Sequence, residues 1–388
     1  MAESNRATTF EQSLGRMQLV GFKPQVIPPT LASLQGVEFL KATFTETADR
    51  IERADKRRTL TFYERFAGKR SGTFSIDAYL RPSGVLGTPS DISGLMVAAG
   101  LTEAIVPGVS VIYSLGGQLA PLIFVSDLEA YGEYVFDAHV GKITWSWDGG
   151  DACKIGYEGI FSHKNVAGTT TCIGDQLVGD ATIEVVDASL FEVNSFVRAG
   201  TNSGAAFGGY RVTAVDETLN TITISPAIEV ATVPAGTEIG PDIPIGVLSV
   251  GGVMIDGNSG VVGVGTEAYS TVSGKVTCET TLEHTGDEFG LPFFGSVFAL
   301  RRRVTLEFTL RATKAALLPI LESRRGTQKG ILIDLGMTPG SSVRLAMNKV
   351  EFNPVEAIEI PDEAAIQATI SGIALGTSDN DELVVAYL

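Results

Sequence analysis

The sequence predicts a mainly β protein: a duplicated β-sandwich or barrel with short helices, plus an inserted small all-β domain. Three observations predict it. Stretches alternating strictly between apolar and polar residues recur along the chain. Glycine is abundant, 44 of 388 residues, without any collagen period. Helical periodicity is confined to two short stretches.

The chain opens with a polar, proline-bearing arm (1–36) that lacks sustained periodicity. Its Phe10, Leu14, Met17 and Phe22 are costly to leave in water, so the arm is expected to dock on something. Strand patterning starts at Val37 and is expected to run to Phe44. A charged segment, 45–58, follows and is read as a loop. It holds Asp49, Arg50, Glu52, Arg53, Asp55, Lys56, Arg57 and Arg58, with the two signs interleaved. A solvated hairpin loop explains such a segment, and so does a polar loop that matches complementary charges on another subunit. Strands are expected again at 59–66 and 71–81, the latter with Phe74, Ile76, Ala78 and Leu80 on one face and Ser75, Asp77 and Tyr79 on the other.

A helix is predicted next, capped by Thr88, with Pro89 at its first position, Gly100 at its end and a stripe of Ile92, Leu95, Met96 and Ala99. Strands at 134–147 and 152–161 enclose the turn Asp148-Gly149-Gly150-Asp151. The order of strand, helix and strand pair returns at 303–311, 313–323, 331–335 and 343–352, with a closing strand at 365–375. It suggests an internal duplication, although Pro319 interrupts the second helix. Between the halves, 165–244 carries short strands at 180–187, 196–199, 210–216 and 221–225, flanked by Gly/Pro-rich stretches. This divides the chain into an arm (1–36), a first core half (37–164), an inserted β domain (165–244) and a second core half (245–388).

Lys and Arg number 29 against 45 Asp and Glu, a net charge of −16. The balance argues against a surface built to hold a polyanion, though not against nucleic acid that must pass without sticking. Three scattered cysteines, Cys153, Cys172 and Cys278, are too few for a disulfide framework and fit a reducing compartment. The first twenty residues hold Glu3, Arg6, Glu11 and Arg16 and no apolar core of a signal peptide. The longest strongly apolar run, 119–125, falls short of the ~18 residues that span a bilayer. A soluble chain made in the cytosol, without a membrane anchor, is the expectation.

Phosphate-loop, dinucleotide, nucleophile-elbow and HExxH motifs are absent, so neither enzyme activity nor a cofactor is expected. The nearest approach to a metal site is Cys278, Glu279, Glu283, His284, Asp287 and Glu288. Its spacing follows no ligand rule and reads better as a solvated acidic loop. Asp148 and Asp151 are explained by their turn. Trp145 and Trp147 share one strand face and suit sheet packing, a subunit contact or sugar stacking.

Taken together, Gly72-Thr73-Phe74-Ser75-Ile76-Asp77-Ala78-Tyr79-Leu80-Arg81-Pro82, followed by Asp91-Ile92-Ser93-Gly94-Leu95-Met96, resembles the strand-then-helix core of phage major tail tube proteins of the long-tailed, siphophage type. Gly141-Lys142-Ile143-Thr144-Trp145-Ser146-Trp147 and the following turn are similar to that family too, as is Pro292-Phe293-Phe294-Gly295-Ser296 leading into Leu300-Arg301-Arg302-Arg303-Val304. The resemblance covers roughly 37–162 and 245–388, and the arm and the insert depart from it.

The resemblance implies a homo-hexameric ring that stacks into a hollow tube in the virion tail, assembled in the host cytoplasm. Its partners would be a tape measure protein and the tail terminator and tail tip proteins, and DNA would pass through the lumen without specific binding. It also implies that the 45–58 loop reaches an adjacent ring, that the arm with Phe10, Leu14, Met17 and Phe22 braces a neighbour, and that acidic residues concentrate on the inner wall. Other readings are a terminator or distal tail protein, and a carbohydrate-binding or adhesin-like module of the tail tip that uses Trp145 and Trp147.

Overall fold

The computed structural model describes residues 18–26, 31, 34–51, 66–128, 131–200, 209–229, 231–245, 252–285, 297–311, 317–354, 358–359, 367–378 and 380–388. The chain is mainly β. Strands β1 (Leu19–Pro24) and β2 (Gln35–Val37) precede a long hairpin of β3 (Lys41–Ile51) and β4 (Phe66–Tyr79). Helix α1 (Ser93–Ala98) leads into a second hairpin, β5 (Ala99–Val106) and β6 (Ser110–Leu119), then β7 (Leu122–Asp127), β8 (Gly132–Asp148), β9 (Lys154–Phe161) and β10 (His163–Ala167). Six short strands follow: β11 (Thr170–Thr171), β12 (Thr182–Glu184), β13 (Phe196–Ala199), β14 (Tyr210–Asp216), β15 (Thr221–Ser225) and β16 (Glu238–Pro241). Strands β17 (Gly260–Val264) and β18 (Glu267–Tyr269) precede the hairpin of β19 (Thr271–His284) and β20 (Val297–Arg311). Helix α2 (Leu317–Arg325), β21 (Gln328–Leu335), β22 (Val343–Phe352), β23 (Ile358–Glu359), β24 (Gln367–Ala374) and β25 (Val384–Tyr387) complete the chain.

The chain forms two compact units. The larger gathers Glu38–Leu122, Phe136–His163 and Ser249–Leu388. In it, antiparallel neighbours run β3-β4-β9-β8-β19-β20-β24, and a second antiparallel run is β5-β6-β25-β22-β21-β17-β18. The two are joined where β22 pairs with β24. Period-two patterning makes this arrangement possible, because it gives the strands an apolar face over the stretches that meet the core. Phe74, Ile76 and Ala78 on β4, Ile143, Trp145 and Trp147 on β8, and Val304, Leu306, Phe308 and Leu310 on β20 are all buried. Each large side chain so buried contributes about 1.5–3 kcal/mol. The fully buried Tyr157 of β9 lies beside Tyr113 of β6 and Tyr387 of β25, so the two apolar faces meet.

In this unit hairpin β3–β4, helix α1 and hairpin β5–β6 come first, and hairpin β19–β20, helix α2 and hairpin β21–β22 follow later, so the pair after the first helix is Ala99–Val106 with Ser110–Leu119 and not the expected 134–147 with 152–161. No closed barrel forms among the described residues. The hairpin β5–β6 was not foreseen, because Gly100, Gly108 and Gly116, all at positive φ, break its alternation. Helix α1 is shorter than the expected 88–100 span. Thr88 does not cap it but sits in a turn, its N–H donating to the Val85 carbonyl (3.2 Å), while Ile92 occupies the cap without a side-chain bond. Ile92, Leu95 and Met96 are buried as expected, whereas Ala99 opens β5. Pro319 is no obstacle, because it falls in the first turn of α2, where its missing N–H would have had no intrahelical partner.

The smaller unit gathers Met1–Val37, Ile123–Val135 and Lys164–Leu248. The predicted strands 196–199, 210–216 and 221–225 fall on β13, β14 and β15, within a six-stranded antiparallel sheet ordered β11-β16-β13-β14-β15-β12. The expected strand over 180–187 is shorter, as β12 covers only Thr182–Glu184. Tyr134 anchors this unit: it is fully buried, packs on Phe196 with ring centroids 5.7 Å apart, and donates to the Phe196 carbonyl (2.6 Å) and the Asp242 carbonyl (3.1 Å). Residues 123–135 and the arm thus share a unit with 165–244, where the sequence suggested separate pieces.

Candidate functional site

The face of β3-β4-β9-β8-β19-β20-β24 opposite the core carries hydroxyls and paired charges. Thr144 and Thr277 stand opposite each other on β8 and β19, their hydroxyls 3.5 Å apart, and Thr309 on β20 meets Thr369 on β24 at 3.1 Å. Lys142 donates to Glu158 directly opposite (2.8 Å), and Lys275 lies 3.0 Å from Glu307. Exposed pairs of this kind contribute only about 0.2–1 kcal/mol. Their consequence is chemical: this part of the surface is polar, with Lys142 and Lys275 each matched by a glutamate, while Arg303 and Arg311 on β20 are exposed. A shallow groove of about 560 Å³ crosses this face, with Thr43, Thr45, Thr73, Ser75 and the Lys142–Glu158 pair among its lining residues.

Two hairpin arms extend beyond this sheet at the same end. β9 pairs with β4 only as far as Gly72↔Phe161, while β3 and β4 continue together to Ile51↔Phe66. β8 pairs with β19 only as far as Lys142↔Glu279, while β19 and β20 continue to His284↔Val297. The charged segment therefore begins as strand: Thr45–Ile51, with Asp49 and Arg50, belongs to β3 rather than to a loop, because it keeps pairing with β4 from Thr45↔Thr73 to Ile51↔Phe66. Glu52, Arg53, Asp55, Lys56, Arg57 and Arg58, and the strand expected at 59–65, lie outside the described residues.

Beside these arms Asp137 is bonded by Ser162 and approached by His139, with His163 and His284 within reach of its charge. Asp137 on β8 accepts a hydrogen bond from the Ser162 hydroxyl (2.7 Å), and its other oxygen lies 3.3 Å from His139 Nε2. His163 stacks on Phe136 with ring centroids 5.0 Å apart and an interplanar angle of 16°. The Asp137 charge reaches both His163 and His284. Burial pushes the Asp137 carboxyl up, but the bonds from His139 and Ser162 and the nearby imidazoles hold it below the ordinary carboxylate range. Burial lowers His163 to about 4, against the opposing pull of Asp137, and lowers His284 for the same reason. Asp137 holds φ at 54°, a left-handed conformation costing about 1–2 kcal/mol, which the bonds to its carboxylate help to retain.

This is not a nucleophile–base–orienter relay. The carboxylate stands between Ser162 and His139, so the imidazole does not address the hydroxyl, and Ser162 is buried. Sequence reasoning missed the cluster because its members are far apart in the chain. Part of the signal was present in the 148–151 turn: counting outward along β8 and β9 sets Asp137 level with His163, and the bulge between Val140 and Lys142 shifts the pairing by one residue toward Ser162.

Other expected residues are placed as follows. Phe10, Leu14 and Met17 lie outside the described residues. Phe22 is not available to a neighbour, because it is buried in its own unit against Phe124, with ring centroids 6.3 Å apart. Trp145 and Trp147 are buried, and Trp147 Nε1 donates to the Thr271 hydroxyl (2.9 Å), which removes them as a sugar-stacking platform. Asp148 and Asp151 shape their turn, with Gly150 N–H donating to Asp148 (2.9 Å) and Lys154 donating to Asp151 (2.6 Å). Cys278 faces the core and Glu279 the opposite side, while Asp287 and Glu288 lie outside the described residues. Among the described residues no group of three or more His, Cys, Asp or Glu is arranged to hold a metal ion. Burial pushes the Cys153 and Cys278 thiols up to about 12, so neither is a ready nucleophile. Among the described residues no helix is long and apolar enough to cross a membrane.

The fold and its surfaces define a two-unit, mainly β protein with a polar, charge-paired sheet face and two arms at one sheet end. Neither a protein-family model nor a curated protein matches the chain.

Proposed function

We propose that this protein is a structural subunit of a phage tail tube: it forms hexameric rings that stack into a channel for genome delivery. The observation that carries the reading is the polar sheet face. It is broad, offers hydroxyls, and has Lys142 and Lys275 matched by glutamates, so a polyphosphate would meet there a hydroxyl-rich surface with those positive charges already neutralised. The arms at one end of the sheet supply extensions of the kind that ring stacking needs. Pairing the open edge of β3 within a ring would remove an exposed strand edge, which is an aggregation hazard in so β-rich a chain. On this reading the partners are further copies of the chain, a tape measure protein inside the tube, and terminator and tip proteins at its ends. DNA passes without specific binding, and the location is the virion tail after assembly in the host cytoplasm.

Negative-stain microscopy of the purified protein is expected to show rings or tubes. A chain that remains monomeric at high concentration would overturn the reading.

A further inference from the structure

The smaller unit presents exposed apolar side chains among acids. Cys172 and Val185 form a bridge with both side chains buried, which turns their neighbours outward. Ile173 is 54% exposed and Val186 58%. Leu219, beside the Asn220 whose carbonyl accepts from Val185 N–H, is 70% exposed. Exposed Glu184 lies opposite Ile173, and exposed Asp216 and Glu217 belong to the hairpin that carries Leu219. The surrounding segment 165–244 holds two basic and ten acidic residues, 2 − 10 = −8. Exposed apolar side chains interspersed with acids fit a partner that is both apolar and basic.

That chemistry occurs in this chain. In the outer half of β20, Phe298 is 43% and Leu300 53% exposed, and Arg301 and Arg303 are exposed beside them. Arg302 between them is held by Glu382 and Asn380, which fixes the strand while leaving the other two arginines outward. We infer that the acid-bearing patch around Ile173, Val186 and Leu219 docks the Phe298–Arg303 stretch of a second copy. The two halves of the contact are different stretches of one chain, so each copy can offer its patch to one copy and its β20 stretch to a patch on another. It rests on the self-assembly reading and adds to it a role for 165–244 as a copy-to-copy clamp.

A charge-swap cycle tests it on the full chain, with assembly followed by sedimentation and microscopy. Glu184→Lys/Glu217→Lys and, separately, Arg301→Glu/Arg303→Glu are each expected to raise the concentration needed for assembly about tenfold. The two sets combined should restore assembly to within about threefold of the parent. Leu219→Ser, at an exposed hairpin tip, should weaken assembly with an unchanged melting temperature. Wild-type assembly that the single sets leave unaltered, or that the combined set does not restore, overturns the clamp while the tube reading stands. A wild-type protein that never assembles overturns both.

Discussion

A β-carbon at Gly159 would lie 2.0 Å from the His139 carbonyl oxygen and 2.6 Å from the Phe74 ring, so β8 and β9 close on each other only because that position has no side chain. Gly159→Ala is expected to destabilise the larger unit by ~2–4 kcal/mol, read from the denaturant midpoint. His163 gives a second residue-scale expectation. Its folded pKa, about 4, lies below its ordinary value of 6.5, so between these two pH values the unfolded chain binds the extra proton. Stability is therefore present above pH 6.5 and is lost progressively as pH falls toward 4, with His284 acting in the same direction. Asp137, held below its ordinary value, adds a loss only at more acid pH. His163→Gln should flatten the melting temperature between pH 4 and 6.5; an unchanged slope would assign the effect elsewhere. These residues show where the sequence stops being legible. The alternation of Phe74, Ile76 and Ala78 can be read directly, but the meeting of Asp137, Ser162 and His139 depends on strand register.

Elements were legible to the extent that one face stayed apolar. β8, β9 and β22 stand close to where periodicity places them, and β4 and β20 alternate over the expected Ser71–Tyr79 and Arg303–Arg311 but begin earlier, at Phe66 and Val297. β5 and β6 are hard to read from the sequence because positive-φ glycines interrupt them, and Thr45–Ile51 reads as a loop because its residues are mostly polar, although it pairs with β4 as strand. The β3–β4 arm carries the clearest element-scale test. Its far end leads into Glu52, Arg53, Asp55, Lys56, Arg57 and Arg58, with the two signs interleaved. Reversing Arg53, Lys56 and Arg57 to Glu should stop ring stacking while leaving the circular dichroism spectrum and melting temperature of the subunit unchanged. Normal tubes from that variant would show that the segment is not the stacking device.

For the whole molecule, charge and division into units bear on the same experiment. Half of the −16 resides in 165–244, while on the polar sheet face Lys142 and Lys275 are matched by Glu158 and Glu307. Half of the acidic excess is thus carried by one segment of the sequence, apart from the charge pairs on that face. From the sequence, 165–244 looks like a removable insert, since both flanks are rich in glycine and proline. The smaller unit argues otherwise. It also contains Ile123–Val135 and Met1–Val37, and Tyr134 spends its hydroxyl on the carbonyls of Phe196 and Asp242. Excising 165–244 would leave that fully buried phenol without its acceptors and strip the Tyr134 ring of its contact with Phe196. An unsatisfied buried hydroxyl costs about 1–3 kcal/mol, and lost aromatic burial adds several more. The excised chain is therefore expected to melt well below the parent or to accumulate as aggregate, whereas Tyr134→Phe in the full chain should cost only about 1–2 kcal/mol. If the excised chain melts at the parent's temperature, 165–244 is an independent module and the smaller unit does not cohere through Tyr134.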